Sequence, residues 1–192
     1  SNTAFGGQAL EANTTASNNT AVGDDAMKAN TTGTDNVAVG AFALDANTTA
    51  SQNTAVGRNA LTANTTGHSG IAIGAYALNA NTTGAYNLAI GRDTMVANTT
   101  GTRNSAVGSN SLDANTTGSH NIAFGYAALT ANTTASYNIA IGDSAMGSNT
   151  TGTNNIAIGQ DALSANTDTN RNVAIGIEAM KVSTGSENVA LG

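Results

Sequence analysis

Apolar and polar positions recur along this chain with a period of 17 residues, in a unit that reads N-x-A-x-G-x-x-A-L-x-A-N-T-T-G-x-x. The unit starts at Asn2, Asn19, Asn36, Asn53, Gly70, Asn87, Asn104, Asn121, Asn138, Asn155 and Asn172, and one residue early at Asn188. A repeat this short cannot bury a face alone, so it must stack on its neighbours and turn equivalent residues into columns along a rod. The pattern predicts an all-β fold, a parallel β-solenoid (β-roll) of about eleven coils forming a single repeat domain over residues 1–192. At about 4.8 Å per strand such a rod is on the order of 50 Å long. The chain starts and stops inside a unit, which leads us to expect a segment of a longer array.

Within the unit, N-x-A-x-G is the predicted strand. Its fourth position is Phe5, Val22, Val39, Val56, Ile73, Ile90, Val107, Phe124, Ile141, Ile158, Ile175 and Leu191, which we expect to be a buried β-branched and aromatic stack. The next residue is Gly in every coil, from Gly6 to Gly192, as a corner with positive φ or a close backbone approach would require. The following x-x-A-L-x-A places Leu or Met in one column, so the four Met residues (Met27, Met95, Met146, Met180) share a core position. Six residues are too few to show a period, and either a second short strand or one helical turn fits; the strand is the expectation.

The middle strand residue is Ala in every coil, so both faces of the strand are apolar. Such strands are normally covered on both sides. With the Val/Ile column assigned to the interior, the Ala column becomes the candidate contact between copies of the chain: Ala38, Ala55, Ala72, Ala89, Ala106, Ala123, Ala140 and Ala157. The second position changes from Thr3, Thr20 and Thr54 to Ile122, Ile139, Ile156 and Val173, so this region becomes more apolar towards the C-terminus.

Composition sharpens the picture in a few respects. Charged residues are 9% and aromatics 4% of the chain, which implies a thin core of small side chains. The chain contains no Cys, hence no disulfide or thiolate metal site, and no Pro, as suits a backbone whose N–H groups are committed to ladders. No apolar run approaches the roughly 20 residues of a membrane span. Twelve of the eighteen charged residues fall at two corners: Asp24, Asp25, Arg58, Arg92, Asp93, Asp143, Asp161 and Glu178 follow the Gly, and Asp35, Arg103, Arg171 and Glu187 precede the next unit. The net charge of −6 is scattered, with no basic stripe to neutralise a phosphate backbone, so nucleic acid is not expected as a partner.

Candidate chemistry is sparse. His68 and His120 are the only His residues and lie three coils apart, roughly 14 Å at strand spacing, too far to share a metal. No calcium loop, nucleophile elbow or phosphate loop occurs, so neither enzyme activity nor a cofactor is expected. Tyr86, Arg103, His120 and Tyr137 occupy one corner column in four successive coils, a candidate place for a sugar to stack or an anion to bind. Nine N-T-T triplets match the glycosylation sequon, as does Asn18-Asn19-Thr20. Repetition explains the triplets, and stacked Asn ladders inside the rod are the expected role of both Asn columns.

The units Asn36-Val37-Ala38-Val39-Gly40 and Asn155-Ile156-Ala157-Ile158-Gly159 resemble the N-[SV]-V-A-I-G repeats in the heads of trimeric autotransporter adhesins. The longer form is similar to repeats in tail-fibre and surface-fibre proteins. The resemblance spans the whole chain and implies a β-roll trimerised about a fibre axis, an attachment role and an extracellular or cell-surface location, with the receptor unspecified. A different reading starts from the paired Thr columns: Thr31, Thr48, Thr65, Thr82, Thr99, Thr116 and Thr133, each followed by Thr32, Thr49, Thr66, Thr83, Thr100, Thr117 and Thr134. A regular hydroxyl and methyl lattice resembles the surfaces of ice-binding solenoids. That alternative requires both columns to be exposed and flat, although adjacent strand residues point to opposite faces.

Overall fold

The computed structural model describes residues 1–183 and 185–192. Twelve three-residue strands mark successive coils: β1 (Thr3–Phe5), β2 (Thr20–Val22), β3 (Val37–Val39), β4 (Thr54–Val56), β5 (Ile71–Ile73), β6 (Leu88–Ile90), β7 (Ser105–Val107), β8 (Ile122–Phe124), β9 (Ile139–Ile141), β10 (Ile156–Ile158), β11 (Val173–Ile175) and β12 (Val189–Leu191). They form one parallel sheet in sequence order. Pairing is column to column, as in Ala21↔Ala38 and Ala123↔Ala140. Even the early restart at Asn188 keeps register, with Ala174 opposite Ala190. The chain is therefore a parallel β-solenoid of about eleven turns, as its period predicts.

The corner after each strand is built by Gly. Gly40 has φ of 134°, and a Cβ there would lie 2.6 Å from the backbone carbonyl of Gly57 in the next coil. Backbone conformation and coil spacing thus both exclude a side chain.

The stretch after the corner is neither the expected second strand nor a helical turn. Its seventh and ninth positions have positive φ, as at Phe42 (61°) and Leu44 (52°) or Asn110 (58°) and Leu112 (54°), with a residue of negative φ between them. Alternating φ sign removes the period-two alternation of side chains, so the neighbours Ala43 and Leu44 both point inward and are fully buried. Hydrogen bonding between coils continues regardless. Leu44 N–H donates to the Ala60 carbonyl at 3.0 Å and Ala46 N–H to the Thr62 carbonyl at 3.0 Å, while Phe42 N–H turns back to the Asp24 carbonyl at 2.9 Å.

The core is thin. Ala at the third and eighth positions and Leu or Met at the ninth fill it, with Leu44, Leu61, Met95, Leu129 and Met146 at 0–1% exposure. Thr94 and Ser111 replace Ala at the eighth position, and each hydroxyl donates to a carbonyl of the following coil, Gly108 at 2.7 Å and Ala123 at 2.9 Å. No helix is long and apolar enough to cross a membrane among the described residues.

Candidate functional site: the faces of the rod

The strand face reverses the sequence expectation. Ala38, Ala55, Ala72, Ala89, Ala106, Ala123, Ala140 and Ala157 are all 0% exposed inside the coil, so they are not a contact between copies. The Val/Ile column expected inside lies on the outer surface instead, with Val39 37%, Ile73 39% and Phe124 39% exposed. The reason is volume. Inside, the strand faces the Ala and Leu or Met of the opposite wall, which leaves room for a methyl and no more. The larger residues on either side of the Ala must then point out.

The outward face consists of the second and fourth columns, roughly 6.7 Å apart along each strand. None of its 24 positions, two in each of twelve strands, carries a charge. Its second column is polar at Thr3, Thr20, Thr54 and Ser105 but is Ile or Val from Ile122 onwards. Charged and aromatic residues flank it. Asp24, Arg58, Arg92, Tyr126 and Asp143 are exposed on the Gly side, and Asp35, Tyr86, Arg103, His120 and Tyr137 on the Asn side. An apolar strip with a polar rim has the anatomy of a contact surface.

The two Thr columns differ. Thr31, Thr48, Thr65, Thr82, Thr99, Thr116 and Thr133 are half-buried, and each hydroxyl donates to the main-chain carbonyl of the equivalent Thr one coil on, for example Thr99 to Thr116 at 3.0 Å. Only Thr32, Thr49, Thr66, Thr83, Thr100, Thr117 and Thr134 are exposed. A two-column hydroxyl lattice is therefore not formed. One column faces solvent and its partner pins neighbouring coils together.

At the corner, side chains of successive coils stack along the rod. The His120 and Tyr137 rings lie 4.9 Å apart and nearly parallel, the Arg103 guanidinium sits 5.4 Å from the Tyr86 ring centre, and His68 meets Tyr86 edge to face at 4.8 Å. His120 and Tyr137 cover one face of each other, and the Arg103 guanidinium and the His68 ring lie against Tyr86, so neighbouring side chains consolidate this corner while Tyr86 and Tyr137 remain 51% and 58% exposed. The two His residues sit against different Tyr residues, and no group of three His, Asp or Glu is placed to hold a metal among the described residues.

Both Asn columns lie inside the rod as hydrogen-bonded ladders. Asn98 Nδ2 donates to Asn81 Oδ1 at 2.8 Å and to the Gly101 carbonyl at 3.1 Å, while its Oδ1 accepts from Asn115 at 2.8 Å. In the first column, Asn104 Oδ1 accepts the Asn121 N–H at 2.9 Å and Nδ2 donates to the Gly118 carbonyl at 2.8 Å. From Asn30 to Asn149 the sequon Asn residues are therefore out of reach of any glycan in the folded rod. Asn18 is exposed, and its amide donates to Asp35 at 3.1 Å.

One small acidic cluster stands apart. Burial pushes the Asp45 carboxyl above the usual carboxylate range, and Asp25 adds to the rise while Lys28 opposes it. Lys28 is 3.3 Å from Asp25 and donates to Gln8 at 2.8 Å.

Comparison of this chain with known protein families, with curated proteins and with solved structures returned no match.

Proposed function

We propose that this chain is a non-catalytic structural or adhesive fibre module, built from copies that associate through the outward face of the β1–β12 sheet. The observation that carries the reading is that face: uncharged at every position and more than a third exposed at Val39, Ile71, Ile73 and Phe124. Isolated apolar residues are common on surfaces, but a continuous strip on the order of 50 Å long, rimmed by charge, favours a partner. Another copy of the same chain is the simplest partner. Its apolar gradient matches best when the copies run parallel, because a fully overlapped antiparallel pair would set Ile139 and Val173 against Thr54 and Thr20. The resemblance to trimeric adhesin heads supports three copies about one axis and an extracellular or cell-surface setting.

The test is solution mass. An 18.9 kDa chain should sediment at about three times that mass, and Ile139→Glu with Ile141→Glu should give a folded monomer. A native chain that stays monomeric at high concentration would overturn the reading.

The water-ordering alternative keeps a narrower basis, the single exposed column from Thr32 to Thr134 at strand spacing. It predicts that the monomer alters ice growth and that Thr100→Tyr abolishes the effect. Unchanged ice growth would remove it.

A further inference from the structure

The first Asn column has one internal break. Gly70 stands where the coils on either side have Asn53 and Asn87. Elsewhere the carboxamide joins two buried groups: Asn87 Oδ1 accepts the Asn104 N–H at 2.9 Å and Asn87 Nδ2 donates to the Gly101 carbonyl at 2.7 Å. At the break neither bond can form. The Asn87 N–H, in a residue 2% exposed, finds no hydrogen-bond acceptor among the described residues. The Gly84 carbonyl keeps only the Asn81 amide, at 2.9 Å.

Backbone geometry does not explain this Gly. Its φ is outside the left-handed region, and a Cβ built on it meets Asn53 Oδ1 at 3.2 Å, Leu61 Cδ1 at 3.7 Å and the Asn87 carbonyl at 3.9 Å. These distances leave a side chain room after a shift of a few tenths of an ångström. The space left by the carboxamide is lined by one donor, the Asn87 N–H, and two acceptors, the Gly84 carbonyl and Asn53 Oδ1, which already accepts the Gly70 N–H at 2.8 Å. A buried water needs two to four polar partners and a volume of only about 10–15 Å³.

We propose that Gly70 opens an internal binding site for one water molecule, which accepts from the Asn87 N–H and donates to the Gly84 carbonyl or Asn53 Oδ1, replacing the missing carboxamide. In the other coils one carboxamide spans the equivalent N–H and carbonyl with two atoms, Oδ1 and Nδ2, and the proposed water sits between those two positions to bridge both groups. The site is inside the coil and independent of the outward strand face, so its test does not depend on the assembly of copies.

Water-to-amide magnetisation transfer by NMR reads the site directly. In the native chain the Asn87 amide should show direct transfer from a long-lived water, and the Asn104 amide, bonded to a carboxamide, should not. Gly70→Asn should abolish the Asn87 signal and raise the thermal midpoint by on the order of 3–6 °C as the ladder becomes continuous. Gly70→Ser, with a smaller side chain, provides the same comparison if the larger one disturbs packing. Absence of a long-lived water at the native Asn87 amide, or an equal signal in both variants and the native chain, would overturn the proposal.

Discussion

The Asn side chains hold the rod at the residue scale, because each one satisfies buried backbone groups that no strand ladder reaches. Asn98 makes two donor contacts and accepts one. Asn98→Asp keeps the shape but removes both donors and sets a carboxylate against Asn81 Oδ1 and the Gly101 carbonyl. A loss of about 2–4 kcal/mol is expected, measured by denaturant unfolding. Asp45 gives a pH signature. Its folded pKa is raised by burial first and by Asp25 second, so the folded state holds the proton at pH values where the unfolded chain has released it. The ionised carboxylate therefore opposes folding at neutral pH, and that opposition is lifted as pH falls through the raised value. Asp45→Asn should have the higher thermal midpoint at pH 7, and the difference should vanish on acidification. The Asn ladders and the corner Gly were legible from repetition. The break at Gly70 was visible as a letter, while its consequence needed the partners of Asn87.

At the element scale the coil pairs a short strand with a turn segment of alternating φ. Strand position, corner and Leu/Met core column followed from the unit. The turn segment did not, because burial of the neighbours Ala43 and Leu44 follows from positive φ at Leu44, which Leu rarely adopts. The two strand faces were exchanged for a related reason: apolar character alone does not say which side is inside. The usable signal was size, since a thin coil takes the invariant small residue inward and leaves the variable larger ones out. Ala106→Glu therefore buries a charge in the core and should unfold the neighbouring coils, detected as lost β-sheet circular dichroism, whereas Ile139→Glu should leave the spectrum intact. Leu112→Ala should destabilise by about 2–5 kcal/mol.

For the whole molecule, regular stacking makes a rod in which each coil contacts only its neighbours. Three kinds of surface run its length: an uncharged apolar strip, a column of exposed Thr and polar corners. Architecture was legible in the sequence because the period dictates it. The identity of the contact surface was not, because it depends on which strand face turns outward. The most direct measurement is sedimentation of the native chain beside Ile139→Glu with Ile141→Glu, both at high concentration and with circular dichroism to confirm folding. Association through the strand face predicts a native mass near three times 18.9 kDa and a folded variant at the monomer mass. A native monomer, or a folded variant that assembles as the native chain does, would contradict it.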